Sequence, residues 1–278
     1  MELMKIVKNL EGKSDKDRRD IICRYLDTLG IRYEKQAYSS GMNIIAEFEK
    51  SLEVGVASHF DVVSGSPGAN DNASAVAVTL EILRRYSQTP LKNIGIRGFF
   101  FDEEECGLKG SRAYVKNNSL ENLLGVYNME LVGNGDKIAF WSDANLADGL
   151  LLKTIKKQAK YLNIKTKQFP YIRKILGLQN SGDHLSFNEA GISESFCITA
   201  ITQKDIDTVK RILFNPLNWI NPKKVDINRA TAESEVFKHY HKSSDSSEYV
   251  NEKTMQMVSD LIYNSACSID NKLASQIK

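Results

Sequence analysis

Phe99-Phe100-Phe101-Asp102-Glu103-Glu104-Glu105-Cys106-Gly107-Leu108 is an aromatic run that empties into four consecutive carboxylates. Three aromatics in a row have the composition of a buried strand. The carboxylates repel one another, and burying even one without a partner is costly. Taken alone, such an acidic run reads as a solvated turn after a strand. That reading weakens beside His59-Phe60-Asp61 and Asp71-Asn72, which follow a second apolar strand. A divalent metal ion would account for all of these groups together.

Upstream of the run, Glu53–Ser58 is short, β-branched and apolar, the pattern of a central strand. A loop rich in Gly, Ser and Pro (63–70) leads to a helix over Ala73–Tyr86, whose small first residues allow it to lie close to a sheet. Asn93–Phe101 is the next strand, so strand, helix and strand form a βαβ crossover. Nearer the N-terminus, Ser14 with Asp17 three residues on is a helix start, Ile21, Ile22, Tyr25, Leu26 and Leu29 keep helical spacing, and Gly30 ends it. Ile31–Tyr38 and Met42–Phe48 form an expected antiparallel hairpin about Ser39-Ser40-Gly41.

Downstream, Leu108–Asn117 reads as a short helix and Leu124–Met129 as a strand with Glu130 at its C-terminal end. Lys137–Ser142 is a further strand and Ala147–Tyr161 a helix. Phe169–Gln179 carries no decisive signal. Asp183–Ala190 is expected to be a short helix, Ser193–Thr199 an edge or late strand, Ile201–Leu213 a helix and Asn215–Asn228 a loop. Asn251–Ser275 places Met255, Val258, Leu261, Ile262 and Ala266 along one helical face. No repeat or linker divides the chain. The expectation is one α/β domain over 1–278, with a site-bearing part at about 43–250.

The 278 residues are enough for a sizeable core, and a composition of 42% apolar and 26% charged residues is that of a soluble globular protein. A net charge of +2, with Lys and Arg spread along the chain, gives no basic aromatic patch for nucleic acid. The apolar runs are strand-sized, too short to span a membrane. Cys23, Cys106, Cys197 and Cys267 form no CxxC pair, which excludes a thiolate finger and a disulfide framework. Met1–Lys5 lacks the basic-then-apolar pattern of a signal peptide, so a cytoplasmic location is expected.

His59, Glu104 with Glu105, and Glu130 each follow a different apolar strand, at the edge where open α/β sheets build sites. His241, in Tyr240-His241-Lys242-Ser243-Ser244-Asp245, offers the second imidazole that a nitrogen-and-oxygen metal site needs. With these residues in hand, Gly68-Ala69-Asn70-Asp71-Asn72-Ala73-Ser74, Glu104-Glu105-Cys106-Gly107-Leu108-Lys109-Gly110-Ser111 and Tyr240-His241 with Asp245 resemble the M28 family of di-zinc exopeptidases. Asn128-Met129-Glu130 and Ser181-Gly182-Asp183-His184, with Phe187 and Gly191-Ile192, match looser family motifs.

The resemblance implies a mixed, mostly parallel sheet flanked by helices on both faces. It implies two divalent metal ions, zinc by family, bridged by Asp71. His59 and Glu130 would complete one site, Glu105 and His241 the other. Glu104 matches the general base that activates a metal-bridging hydroxide, and Asp61 the carboxylate that orients His59. Asp102 and Glu103 match no role and are expected in solvent, with Cys106 a small filler. The implied substrate is a peptide or aminoacyl compound. Its pocket is expected from about 169–235, with Tyr171, Ile172 and Phe187 as candidates.

The chain departs from the family pattern at Glu130, where aspartate is commoner, at Ala75, at Gly182, which interrupts Ser-Asp-His, and at Gly191-Ile192-Ser193, which lacks a proline. Two other functions share the scaffold: glutaminyl cyclase, an acyltransferase with one zinc, and a catalytically silent binding module. The complete set of five ligand candidates together with Glu104 favours hydrolysis. No residue pattern speaks to oligomeric state.

Overall fold

The computed structural model describes residues 2–46, 50–142, 149–170, 182–213 and 232–276. Two helices, α1 (Leu3–Leu10) and α2 (Asp15–Leu29), precede a hairpin of β1 (Tyr33–Ala37) and β2 (Met42–Ala46). The βαβ unit follows as β3 (Glu53–His59), α3 (Ser74–Gln88) and β4 (Gly95–Phe101). Then come α4 (Lys109–Asn117), β5 (Leu123–Met129), β6 (Lys137–Ser142), α5 (Leu150–Tyr161) and β7 (Lys165–Pro170). The chain continues through α6 (His184–Glu189), β8 (Ser195–Ile201), α7 (Gln203–Leu213) and the long α8 (Glu252–Gln276). The expected loop at Asn215–Asn228, most of Phe169–Gln179, and the pocket candidates Tyr171 and Ile172 lie outside the described residues.

The eight strands form one sheet in the order β1-β2-β4-β3-β5-β8-β6-β7. β3 is parallel to both β4 and β5, and β5 to β8, so four strands end at the same edge. The hairpin adds antiparallel to β4, and β6 runs antiparallel to β8. The sheet is therefore mixed, as expected. β8, expected as an edge or late strand, is the last strand in chain order but no edge: it lies between β5 and β6 and is buried throughout. β7 holds that edge instead.

Period-2 alternation divides the core between the two faces. Ile44, Ala46, Val54, Val56 and Phe100 face α1, α2, α3, α5 and α8. Ile45, Ala57, Phe99, Phe101 and Val126 face the other way, against Tyr114 of α4 and Phe187 of α6. Farther along, Ala139, Phe169 and Ile201 meet Ile206 and Val209 of α7. Helices thus cover both faces.

Phe99, Phe101, Tyr114 and Phe187 pack with ring centroids 4.9–6.1 Å apart. Each such pair adds about 0.5–1.5 kcal/mol beyond area burial. Phe187, a pocket candidate by sequence, is fully buried in this cluster and belongs to the core. α3 lies so close to the sheet that a Cβ at Gly98 of β4 would meet Leu83 Cδ1 at 2.6 Å.

The helix signals hold at α2. The Ser14 hydroxyl oxygen accepts from the Asp17 backbone N–H (3.2 Å), its O–H donates to Asp17 Oδ2 (2.7 Å), and Gly30 closes the helix at φ +65°. α1 has the same legible spacing, Leu3, Ile6, Val7 and Leu10, all buried. Among the described residues no helix is long and apolar enough to cross a membrane.

Candidate metal centre

Parallel pairing brings the C-terminal ends of β3, β4 and β5 together. His59 is the last residue of β3, and Glu130 follows β5 directly. Asp71 stands between β3 and α3, in a tight turn over Ala69–Ala73 whose five residues are all buried. The Asp71–Asn72 peptide is cis. His241, far along the chain, adopts φ +59° in a turn before α8.

These residues converge. His59 Nε2 lies 3.3 Å from Asp71 Oδ1 and 3.1 Å from Glu130 Oε2. His241 Nε2 lies 3.4 Å from Asp71 Oδ2 and 2.9 Å from Glu105 Oε2. The two oxygens of Asp71 therefore face two different imidazoles, and each imidazole faces a second carboxylate. Candidate ligand atoms of His59, Asp71 and Glu130 lie within 4.8 Å of one another, as do those of Asp71, Glu105 and His241. His59 is 1% exposed, whereas the His241 side chain is 34% exposed, so the centre opens to solvent on the His241 side.

The turn after β4 explains how adjacent glutamates divide their work. Asp61 Oδ1 accepts the Glu104 backbone N–H and Asp61 Oδ2 that of Glu105, both at 3.0 Å. Asp61 also approaches His59 Nδ1 through Oδ1 (3.3 Å) and its carbonyl oxygen (3.2 Å). One carboxylate thus orients an imidazole and aims two glutamates. It acts through them.

Asp102 and Glu103, expected in solvent, are corrected by the structure. Asp102 is buried, accepts the backbone N–H groups of Met42 and Glu103, and has its carboxyl pushed up to about 6, chiefly by burial. Glu103 takes φ +54° and pairs with Lys109 (3.2 Å) and the Ser40 hydroxyl (2.5 Å). These two residues pin the turn to the β1–β2 hairpin. Cys106, expected as a filler, is exposed.

The electrostatics call for positive charge. Burial opposes protonation of His59, yet Glu130, Asp61 and Asp71 outweigh it and raise its pKa well above the ordinary value. His241 behaves likewise, burial being overcome by Glu105 and Asp71. Burial pushes the Glu104 carboxyl well up, against the pull of His59 and with reinforcement from Glu130, Asp183 and Glu105. Once His59 gives up its second proton and keeps Nδ1–H donated to Asp61, the Nε2 lone pair faces two carboxylate oxygens. A cation among them turns that repulsion into ligation, and imidazole-plus-carboxylate donors suit a zinc-like ion.

A model of peptidase family M28 matches residues 43–266. The chain belongs to that family. Among curated relatives, the aminopeptidase YwaD of Bacillus subtilis (strain 168) is 29% identical over 214 residues, 74% of this chain and 39% of the relative. The M28 chain described here thus spans well under half of that relative's length. Among solved structures, the zinc aminopeptidase BSAP from Bacillus subtilis superposes with a TM-score of 0.61 at 24% identity, over 82% of this chain and 50% of that one. Glutaminyl cyclase from Porphyromonas gingivalis superposes with a TM-score of 0.68 at 17% identity, over 95% and 96%. These likenesses establish the fold.

All seven predicted site residues of this M28 domain come together. The structure adds groups that the sequence did not single out. Asn72 Nδ2 donates to Glu130 Oε2 (2.8 Å) and the Met129 carbonyl (2.9 Å), while Asn128 Nδ2 donates to Glu130 Oε1 (3.1 Å). Asp245 accepts the backbone N–H groups of Asn70 (2.9 Å) and Asp71 (3.0 Å). Tyr240 stacks on His241, centroids 3.6 Å apart. Each sits inside a motif already legible, beside the residue that it supports. His239 is directed away, bonded to Ser244 and stacked on Tyr249. Asp183 is wholly buried, which pushes its carboxyl up to about 8. The Gly182 insertion has a local reason: at φ +104°, a Cβ there would meet Asn128 Nδ2 at 2.8 Å.

Proposed function

We propose that this M28 domain holds two divalent metal ions, zinc by donor type, and hydrolyses N-terminal residues from peptides. The observation that carries the reading is Asp71, one oxygen toward His59 and the other toward His241. One ion would take His59, Glu130 and Asp71 Oδ1, the other His241, Glu105 and Asp71 Oδ2. When bound, such ions lower the pKa of water from ~15.7 towards ~7 and polarise a scissile carbonyl.

The protein's own groups do the rest. Asn72 and Asn128 hold both oxygens of Glu130, so its longer side chain is fixed where an aspartate is commoner. The Glu104 carboxylate has no hydrogen-bond partner among the described residues, yet one of its oxygens lies within 4.8 Å of ligand atoms of His59 and Glu105. A buried carboxyl with its pKa raised well above the ordinary value can take a proton from an attacking water and return it to the leaving amine. In neutral His59, Nδ1–H donates to Asp61, which leaves Nε2 available for ligation.

Glutaminyl cyclase is the second reading, because this chain and the cyclase cover each other almost end to end. The donor set for two ions favours hydrolysis. The deciding experiment pairs bound-metal content with a screen of aminoacyl-amide substrates and N-terminal glutamine peptides, each with and without chelator. Two ions per chain and chelator-sensitive release of the N-terminal residue support the proposal. One ion with cyclisation of glutamine, or no turnover of either substrate, overturns it.

A further inference from the structure

The loop that carries Asp71 has little regular structure of its own before Ala69, yet it must aim one carboxylate at two ligand sets. Its anchor lies outside the residues that match the family. Arg18, on α2, is 0% exposed. Its Nη2 donates to the carbonyls of Pro67 (2.7 Å) and Gly68 (3.1 Å), Nη1 to that of Phe60 (3.3 Å), and Nε to that of Lys13 (3.3 Å). The fork therefore grips the loop just after His59 and just before Asp71. A Cβ at Gly68, at φ +66°, would meet Arg18 Nη2 at 2.5 Å and the Asp71 carbonyl at 2.9 Å. That leaves no room for slack between the guanidinium and the turn.

The neighbours of Arg18 reinforce the grip. The Val62 N–H donates to Asp15 Oδ1 (3.1 Å) and the Gly12 N–H to the Pro67 carbonyl (2.8 Å). On the far side, the Ser247 N–H donates to Glu11 Oε1 (2.9 Å), two residues past the Asp245 that holds the Asp71 backbone. Among the described residues no carboxylate comes within ion-pair distance of Arg18, although Asp15, Asp71, Asp245 and Asp61 surround it. A buried cation without a direct partner is costly to retain. Lysine, with a single nitrogen on a flexible stem, cannot reach the three loop carbonyls at once.

We infer that Arg18 is a positioning residue of the metal centre: its guanidinium locks the 60–68 loop and so sets where the Asp71 carboxylate stands between the two ligand sets. The N-terminal helix pair is then part of the working site, although the family match begins at residue 43. The inference rests on the metal-binding part of the proposed function and needs no particular substrate.

The test measures zinc affinity of the metal-free full chain by competition with a chromophoric chelator, alongside unfolding temperature with and without zinc. R18K keeps the charge and removes the fork, so it isolates positioning. The expected result is about a tenfold or greater loss of zinc affinity in folded R18K, the scale seen when a group that orients a ligand is removed. R18M also removes a positive charge, which by Coulomb attraction alone would tighten zinc binding. Weaker binding in both variants therefore marks geometry as dominant. Wild-type affinity in folded R18K overturns the inference, as does equal loss of unfolding temperature with and without zinc at unchanged affinity, the signature of a merely structural arginine. If R18M fails to fold, R18K decides alone. If the wild-type chain itself binds no zinc, the proposed function fails first; if it binds zinc but hydrolyses nothing, the test of Arg18 still stands.

Discussion

Asp61→Asn is the most informative single change, because every neighbour of that side chain is a donor. Its two oxygens accept the Glu104 and Glu105 N–H groups at 3.0 Å, and Oδ1 lies 3.3 Å from His59 Nδ1. An amide keeps one acceptor oxygen and turns an NH2 toward a donor. At least one charge-assisted bond, worth about 1.5–3 kcal/mol, is lost, and a buried N–H is left unpaired at a further cost of about 1–3 kcal/mol. The sum is roughly 2.5–6 kcal/mol. If half of it falls on the aim of Glu104 and the tautomer of His59, kcat/KM drops about 10–100-fold, since each 1.4 kcal/mol is a factor of ten. The rest appears as lost stability. The assay is kcat/KM on a chromogenic aminoacyl amide, with bound zinc and unfolding temperature measured on the same D61N sample. The reasoning is refuted if D61N folds, loads zinc as the wild type does and keeps its kcat/KM within about twofold.

Four further outcomes follow from the same geometry. Glu104→Gln should retain metal but lower kcat by about 10²–10⁴-fold, the usual worth of a positioned acid–base group, and unchanged hydrolysis would remove Glu104 from its role. Gly182→Ala should push Asn128 off Glu130 at the 2.8 Å contact and weaken zinc binding; calorimetric titration that finds wild-type affinity contradicts this. Zinc at a thousandfold above its dissociation constant should stabilise the chain by about 4 kcal/mol, so a scan showing no rise in unfolding temperature counts against a site on the folded chain. The rise should also grow with pH. His59 and His241 have folded pKa values above the ordinary ~6.5, so in the metal-free chain their stabilising charge is complete below that value and is lost as pH rises through the folded pKa. Zinc, which needs neutral imidazole, gains over the same interval. A zinc-induced shift that is equal at pH 6 and pH 8 refutes the linkage.

Much of this was legible because strong local signals agreed. The buried strands β3, β4 and β5 read as continuous apolar runs, and their parallel pairing brought three strand-end motifs to one edge. What escaped was set by tertiary context. β7 (Lys-Thr-Lys-Gln-Phe-Pro) carries lysines because an edge strand is kept from pairing further by its charges, and that same polarity hides it from a reading by hydrophobic pattern. β8 is as apolar as any core strand, but its insertion between β5 and β6 depends on a crossover that no residue pattern encodes. Asp102 looked solvated because it sits in a run of carboxylates; only the β1–β2 hairpin, folding back with the Met42 N–H, makes a buried acceptor of it. Arg18 looked like any helix arginine, since nothing local says that three loop carbonyls will converge on it.

The acidic run itself shows how one fold separates four like charges. Asp102 is held by backbone donors beneath the turn, and Glu103 is turned outward to Lys109. Glu105 is directed at His241, and Glu104 alone keeps an unengaged carboxylate inside. Asp61 makes the last separation, because it fixes successive N–H groups on its two oxygens and leaves the two glutamates no common direction. The positive charge that balances the set comes from behind and from within. Arg18 supplies a fixed cation under the Asp71 loop, while metal held between the two imidazoles would supply the rest. A centre built this way gains affinity for metal from the same carboxylate crowding that would destabilise it empty. Its stability and its metal content should therefore rise and fall together.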